Sequence, residues 1–163
     1  MEIRLLIEKD IDEMAKLYVK SWRATYNGII PAKILDTITV EKFNPIWKNY
    51  ITKDNNGIFG AFEGDIFLGF GAFTPDKNME STLYLDSLHM KDEYKGKGIG
   101  TKIINQLKDY AREKGYKGIS VSVMCGNDRA KNLYTKLGAI HLNYYTGYEN
   151  VKNYTGNYKK ILN

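Results

Sequence analysis

Between residues 58 and 114 the hydrophobic pattern changes period once, from two to 3.6, and few folds accommodate that order. Residues 58–62 and 66–73 are apolar runs separated only by Glu63-Gly64-Asp65, which predicts a hairpin turning at Gly64-Asp65. Residues 82–90 read as a third strand of the same set. From about residue 98 to 114 the apolar residues Ile99, Ile103, Ile104, Leu107, Tyr110 and Ala111 fall at helical spacing, and Gly115 supplies the stop. Three consecutive strands followed by one strongly amphipathic helix require a sheet with a helix laid on its face.

The flanking segments extend this plan. Residues 2–7 read as an opening strand, and Asp10 is placed to cap a helix to about Tyr26, with Ile11, Met14, Leu17, Tyr18 and Trp22 on one stripe. Asn27-Gly28 ends that helix, and Pro31 suits the start of a short one through Ile34 and Leu35. Residues 40–51 carry Phe43, Ile46, Trp47 and Tyr50 on one face, with Pro45 expected to kink the helix or mark its true start. Residues 119–124 read as a strand, 128–137 as a helix ended by Gly138, and 139–145 and 155–161 as two further strands. The sum is a single α+β domain over 1–163, one mixed sheet with helices on its faces.

Composition excludes several classes. Hydrophobic residues at 43% and charged residues at 26% are those of a globular domain. No run of eighteen apolar residues occurs, charges are spread through the first twenty positions, and the one cysteine, Cys125, has no internal partner. These features predict a cytoplasmic protein with no membrane partner, and Asn153-Tyr154-Thr155 is read as a chance sequon. The net charge of +5 raises the question of nucleic acid. From Lys91 to Lys117, however, eight Lys or Arg face four acids around one glycine-rich loop, rather than spreading over a groove-sized face. No nucleic-acid partner is expected. Two distant histidines and one cysteine make no metal site.

That loop carries the chemistry. Lys95-Gly96-Lys97-Gly98-Ile99-Gly100-Thr101 follows a strand and opens a helix. A helix N-terminus presents amides without intrahelical partners, and its dipole adds about half a positive charge. Three glycines in five residues cost about 1 kcal/mol each inside a helix, so a compensating role as an anion cradle stands against a plain turn. No register gives a P-loop, and Thr101 or Ile103 stands where a dinucleotide fingerprint needs its last glycine.

The strand Tyr84-Leu85-Asp86-Ser87-Leu88-His89-Met90, the loop Lys95 to Gly100 and the helix through Ile103, Ile104 and Leu107 resemble the acetyl-CoA site of the GNAT N-acetyltransferases. That family's signature reads Arg/Gln-x-x-Gly/Ala-x-Gly/Ala. Gly98 and Gly100 match its glycines, and Lys95 replaces the Arg or Gln. Downstream, Asn127-Asp128-Arg129-Ala130-Lys131-Asn132-Leu133-Tyr134-Thr135-Lys136-Leu137-Gly138-Ala139 is similar to the family's Asn-x-x-Ala-x-x-x-Tyr-x-x-x-Gly-Phe helix, with Ala139 for Phe.

The resemblance implies a mixed, mostly antiparallel sheet of about seven strands with helices on both faces, and acetyl-CoA as co-substrate without a metal. It implies that the main chain of Leu88, His89 and Met90 pairs with the pantetheine arm. Lys95, Gly96, Lys97, Gly98, Ile99, Gly100 and Thr101 would hold the pyrophosphate, and Asn127 would bond the arm from the other side. Helix capping alone would also explain Asn127. The implied reaction is direct attack of a primary amine, of a small molecule or a peptide, on the thioester in a ternary complex. Tyr134 is then the proton donor to the leaving sulfur, a phenol with pKa about 10 matching such a thiolate, unless it serves only the stripe Ala130, Leu133, Tyr134 and Leu137. Asp86, on the expected face of Leu88 and Met90, is the first candidate base, against a merely solvated carboxylate. A backbone N–H near Met90 would serve the carbonyl. His89 and His141 read as structural. Trp22, Tyr26 and Trp47 are candidates for the amine pocket, closed by Tyr144, Tyr145 and Tyr148. A homodimer is common in that family. The competing readings are a non-catalytic acyl-CoA sensor and a protein N-terminal acetyltransferase.

Overall fold

A computed structural model describes residues 1–146 and 154–161, with side chains described through residue 142. Tyr148, and the side chains of Tyr144 and Tyr145, lie outside the described residues. The chain runs β1 (Glu2–Leu5), α1 (Ile11–Tyr26), α2 (Ala32–Leu35), α3 (Val40–Tyr50), β2 (Gly57–Glu63), β3 (Ile66–Pro75), β4 (Thr82–Met90), α4 (Ile99–Glu113), β5 (Gly118–Met124), α5 (Asp128–Lys136), β6 (Ile140–Thr146) and β7 (Tyr154–Ile161). One seven-stranded sheet results, in the order β1-β2-β3-β4-β5-β7-β6. Every neighbouring pair is antiparallel except β4 and β5. The fold is the mixed, mostly antiparallel one expected.

The two faces of the sheet carry separate apolar layers. Against one, Met14, Leu17 and Tyr18 of α1 and Trp47 of α3 pack on Ile58, Phe70 and Ala72. Against the other, Ile103, Ile104 and Leu107 of α4 and Tyr134 of α5 pack on Phe59, Phe73, Leu83 and Leu85. The hairpin turns at Gly64-Asp65, with Glu63 opposite Ile66.

Two local expectations give way. Asp10 does not cap α1 through its side chain. Its carboxylate instead takes both guanidinium nitrogens of Arg4, at 2.8 and 2.9 Å, and the amide of Ile7 at 2.9 Å. Of the two readings of Pro45, the start falls: α3 is capped by the Thr39 hydroxyl and runs through the proline. Trp47 is also not a pocket residue. It is 4% exposed in the core, edge-on to Tyr18, Tyr50 and Phe70.

Candidate active site

The central opening arises where the one parallel pair parts. β4 and β5 pair only from Thr82↔Gly118 to Leu85↔Val121, after which β4 stays with β3 and β5 with β7. Each strand is left with an edge whose polar groups need partners. The Lys91 amide donates to the Leu68 carbonyl at 2.9 Å and so fixes the phase of the β3–β4 ladder. Alternation then turns the main chain of His89 onto β3 and that of Leu88 and Met90 into the gap. The expectation for three pairing residues is therefore corrected at His89, whose main chain is already spent.

The gap opens into a cavity of about 690 Å³. Asp86, Leu88, His89, Met90, Lys95, Gly96, Gly98, Ile99, Gly100, Thr101, Asn127, Tyr134, Trp22 and Tyr26 all line it. Lys97 does not. Its ammonium lies 5.2 Å from the centroid of the Tyr94 ring.

The loop leaves a row of amides open. The Lys95 amide donates to Asp92 O at 3.2 Å and the Lys102 amide to Gly98 O at 3.1 Å. Among the described residues, the amides from Gly96 to Thr101 between them have no acceptor. Gly96 and Gly98 hold φ of 80° and 78°, the left-handed region that disfavours other residues, and a Cβ at either would meet nothing within 4 Å. Glycine is thus required there by the backbone, and the space it borders is open. The Lys95 ammonium is not free. It sits 2.5 Å from Asp92, which holds that carboxyl below the usual carboxylate range.

Asp86 sits on the other side of the sheet from where strand alternation puts it. Ala72 opposes Ser87 but Phe73 opposes Leu85, so Asp86 is the extra residue of a β-bulge. The bulge keeps Leu85, Leu88 and Met90 with α4, where a Cβ at Gly71 would touch both leucines and Ile103. Asp86 acts electrostatically on Tyr50 of α3, which belongs to the opposite layer. It is solvent-accessible yet surrounded by protein, as a group facing an open cavity is, and this partial burial pushes its carboxyl above the usual range. No described residue bonds or pairs with it.

The α1 wall is held to β4 by a hydrogen bond of 2.7 Å between Ser21 Oγ and His89 Nδ1. The His89 ring packs against Tyr18 and Phe70. Burial, with the nearby Lys95 charge, holds the imidazole down at about 4. One position beyond Ser21 and one turn further, the Trp22 and Tyr26 rings stand 4.5 Å apart. The Tyr26 phenol engages the Asn127 side chain, whose carbonyl accepts the Ala130 amide at 3.2 Å. Asn127 therefore caps α5 while lining the cavity. The Tyr134 ring is 8% exposed, and burial, then the phenols of Tyr26 and Tyr84, push its hydroxyl above the ordinary phenol range.

The Acetyltransferase (GNAT) family matches residues 12–139. The chain belongs to the GNAT acetyltransferase family. This GNAT chain is 35% identical over 85 residues to the thialysine N-epsilon-acetyltransferase of Bos taurus, covering 51% of this chain and 50% of that protein. It is 29% identical over 122 residues to the uncharacterized N-acetyltransferase YuaI of Bacillus subtilis, covering 71% and 67%. The chain spans about half the length of the mammalian relatives it matches. The PaiA N-acetyltransferase from Thermoplasma acidophilum, solved in complex with coenzyme A, superposes with a TM-score of 0.81 at 21% identity, over 98% of each chain, and so shares the GNAT fold. Among the described residues, no helix is long and apolar enough to cross a membrane and no cluster of three or more His, Cys, Asp or Glu could hold a metal.

Ser21 and Arg129 are among the cavity residues that escape sequence reasoning, although each leaves a trace. Ser21 is a buried hydroxyl on the same helix stripe as Leu17. Arg129 is a cation in the first turn of α5, where the helix dipole disfavours it, and it lines the cavity.

The buried imidazole gives a pH test of this GNAT domain. His89 stays neutral in the fold to about 4 while the unfolded chain protonates near 6.5, so its contribution is intact above pH 6.5 and lost as pH falls. A loss of about 3 kcal/mol is expected by pH 4. Denaturant unfolding of wild type and His89→Gln at pH 7 and pH 4.5 measures it. The wild type should lose more stability than the variant, and equal losses would contradict the assignment.

Proposed function

We propose that the chain transfers an acetyl group from acetyl-CoA to a primary amine, by direct attack while both are bound. The observation that carries this reading is the row of open amides from Gly96 to Thr101 beside a cavity that Asp86 and Tyr134 also line. The site fits coenzyme A: the amides are unspent, the α4 dipole adds positive charge, and the β4 edge offers Leu88 and Met90 to an extended arm. Acetyl-CoA, when bound, supplies an acetyl thioester.

The protein's own groups then divide the work. Asp86, with its raised carboxyl, accepts the proton of the incoming ammonium, and the higher its pKa the smaller the mismatch with an amine near 10. The N–H of Met90 faces the gap and is available to the carbonyl oxygen. Tyr134 stays protonated throughout the physiological range and directs its hydroxyl hydrogen to the departing sulfur. Burial makes it a weaker acid than a free phenol, so it stabilises the departing thiolate by hydrogen bonding, and the second proton shed by the acceptor nitrogen as the amide forms neutralises that sulfur. The peptide-amine reading stands beside the small-molecule one within this proposal.

The test is release of CoA thiol with a panel of amines, with mass spectrometry of the products for the acetyl increment. Asp86→Asn should lower turnover at least tenfold at neutral pH while leaving CoA affinity unchanged. It should also modestly raise stability above the folded pKa of Asp86, because the fold no longer holds a disfavoured carboxylate. Thiol release without an acetylated product, or CoA binding without turnover of any amine, would remove the transferase reading.

A further inference from the structure

The acceptor end of the cavity has spent most of its polar groups on itself. The Ser21 hydroxyl is committed to His89, and the Tyr26 phenol to Asn127. What it presents are the tilted rings of Trp22 and Tyr26, 4.5 Å apart on one wall, the small hydroxyl of Thr25, and Asp86. Asp86 is the single carboxylate among the described lining residues, and no described cation pairs with it. The cations that do line the cavity are Lys95, Arg129 and Lys136. A carboxylate that faces the cavity without a described partner gains from one cation. A second ammonium would find no described carboxylate. An aromatic wall favours a flat apolar group through area burial and ring contact, and adds cation–π attraction for the ammonium it abuts.

We infer that the preferred acceptor is a small primary monoamine with a flat, apolar body, of the arylalkylamine class, its ammonium on Asp86 and its ring on Trp22 and Tyr26. This rests on the transferase reading above. Trp22 is the specificity-determining residue, one turn before Tyr26 and adjacent to the Ser21–His89 bond that fixes α1 against β4.

The experiment compares kcat/KM for 2-phenylethylamine, hexylamine and spermidine with acetyl-CoA, in wild type, Trp22→Ala and Trp22→Phe. The wild type should prefer 2-phenylethylamine over spermidine at least tenfold. Trp22→Ala should erase that preference through KM, Trp22→Phe should restore most of it, and CoA affinity should be unchanged in both. A preference for spermidine, or one that survives Trp22→Ala, would overturn the inference while leaving acetyl transfer standing. If CoA binds but no amine is turned over, the transferase reading and the acceptor preference both fail as catalysis, and calorimetry of the CoA complex with 2-phenylethylamine decides whether the pocket still binds it. Binding that is lost in Trp22→Ala and kept in Trp22→Phe upholds the aromatic wall, and no binding in the wild type overturns it.

Discussion

Replacing Gly98 with aspartate should reduce coenzyme A affinity at least a hundredfold, whereas Gly98→Asn should cost about tenfold or less. Gly98 is the residue before the first turn of α4, with φ 78° and open space where a Cβ would go. Asparagine and aspartate tolerate the left-handed region about equally among non-glycine residues, so the pair controls for strain and bulk. They differ in one charge. A carboxylate about 4 Å from a phosphate costs about 1 kcal/mol per unit charge in water and about 4 at a protein surface. A pyrophosphate carries two such charges, about 2 to 8 kcal/mol in all, and a hundredfold loss, about 2.7 kcal/mol, lies near the low end of that range. Titration calorimetry with CoA measures it, and the deficit of Gly98→Asp should shrink as salt is raised. An aspartate variant that binds within fivefold of wild type would show that no phosphate rests at this loop.

The second large effect is expected at Tyr134. Tyr134→Phe removes one oxygen from a ring that packs with Leu85, Val121 and α4, so the layer is kept. Stability should change by less than about 1 kcal/mol and CoA affinity should stay within twofold. Turnover should fall tenfold or more, because the departing sulfur loses its hydrogen-bond donor. The fall should belong to kcat rather than to KM for the amine. If the residue served packing alone, kcat would survive, and so a variant with normal kcat sinks the assignment.

The readable part of this molecule was its periodic part. α4 and the β2–β3 hairpin follow from spacing and turn residues, and the amide row follows from glycines at a helix start. The parting of β4 from β5 is not written in either strand, because it depends on where a distant strand stops pairing. Only the family resemblance points there, through a pantetheine arm paired with the end of β4. Asp86 shows a sharper limit. Strand alternation assumes a period of two, and one bulge between Leu85 and Ser87 reverses the face of everything beyond it. The carboxylate thereby faces the α1–α3 side, where the amine pocket is proposed, instead of the α4 layer. Trp47 marks a different limit. Its helical face follows from spacing, but an apolar face gives no sign of which aromatic reaches a cavity and which fills the core. Asp10 illustrates competition among acceptors: Arg4, six residues earlier, claims the carboxylate that local capping rules assign to the helix.

The account depends on the open amides from Gly96 to Thr101 meeting a pyrophosphate, and amide-resolved NMR of the ¹⁵N-labelled chain addresses it directly. Titration with CoA should shift the ¹H–¹⁵N signals of residues 96–101 together, and titration with pantetheine, which lacks the pyrophosphate, should leave them in place while moving Leu88 and Met90. Signals at 96–101 that stay fixed under saturating CoA would contradict it.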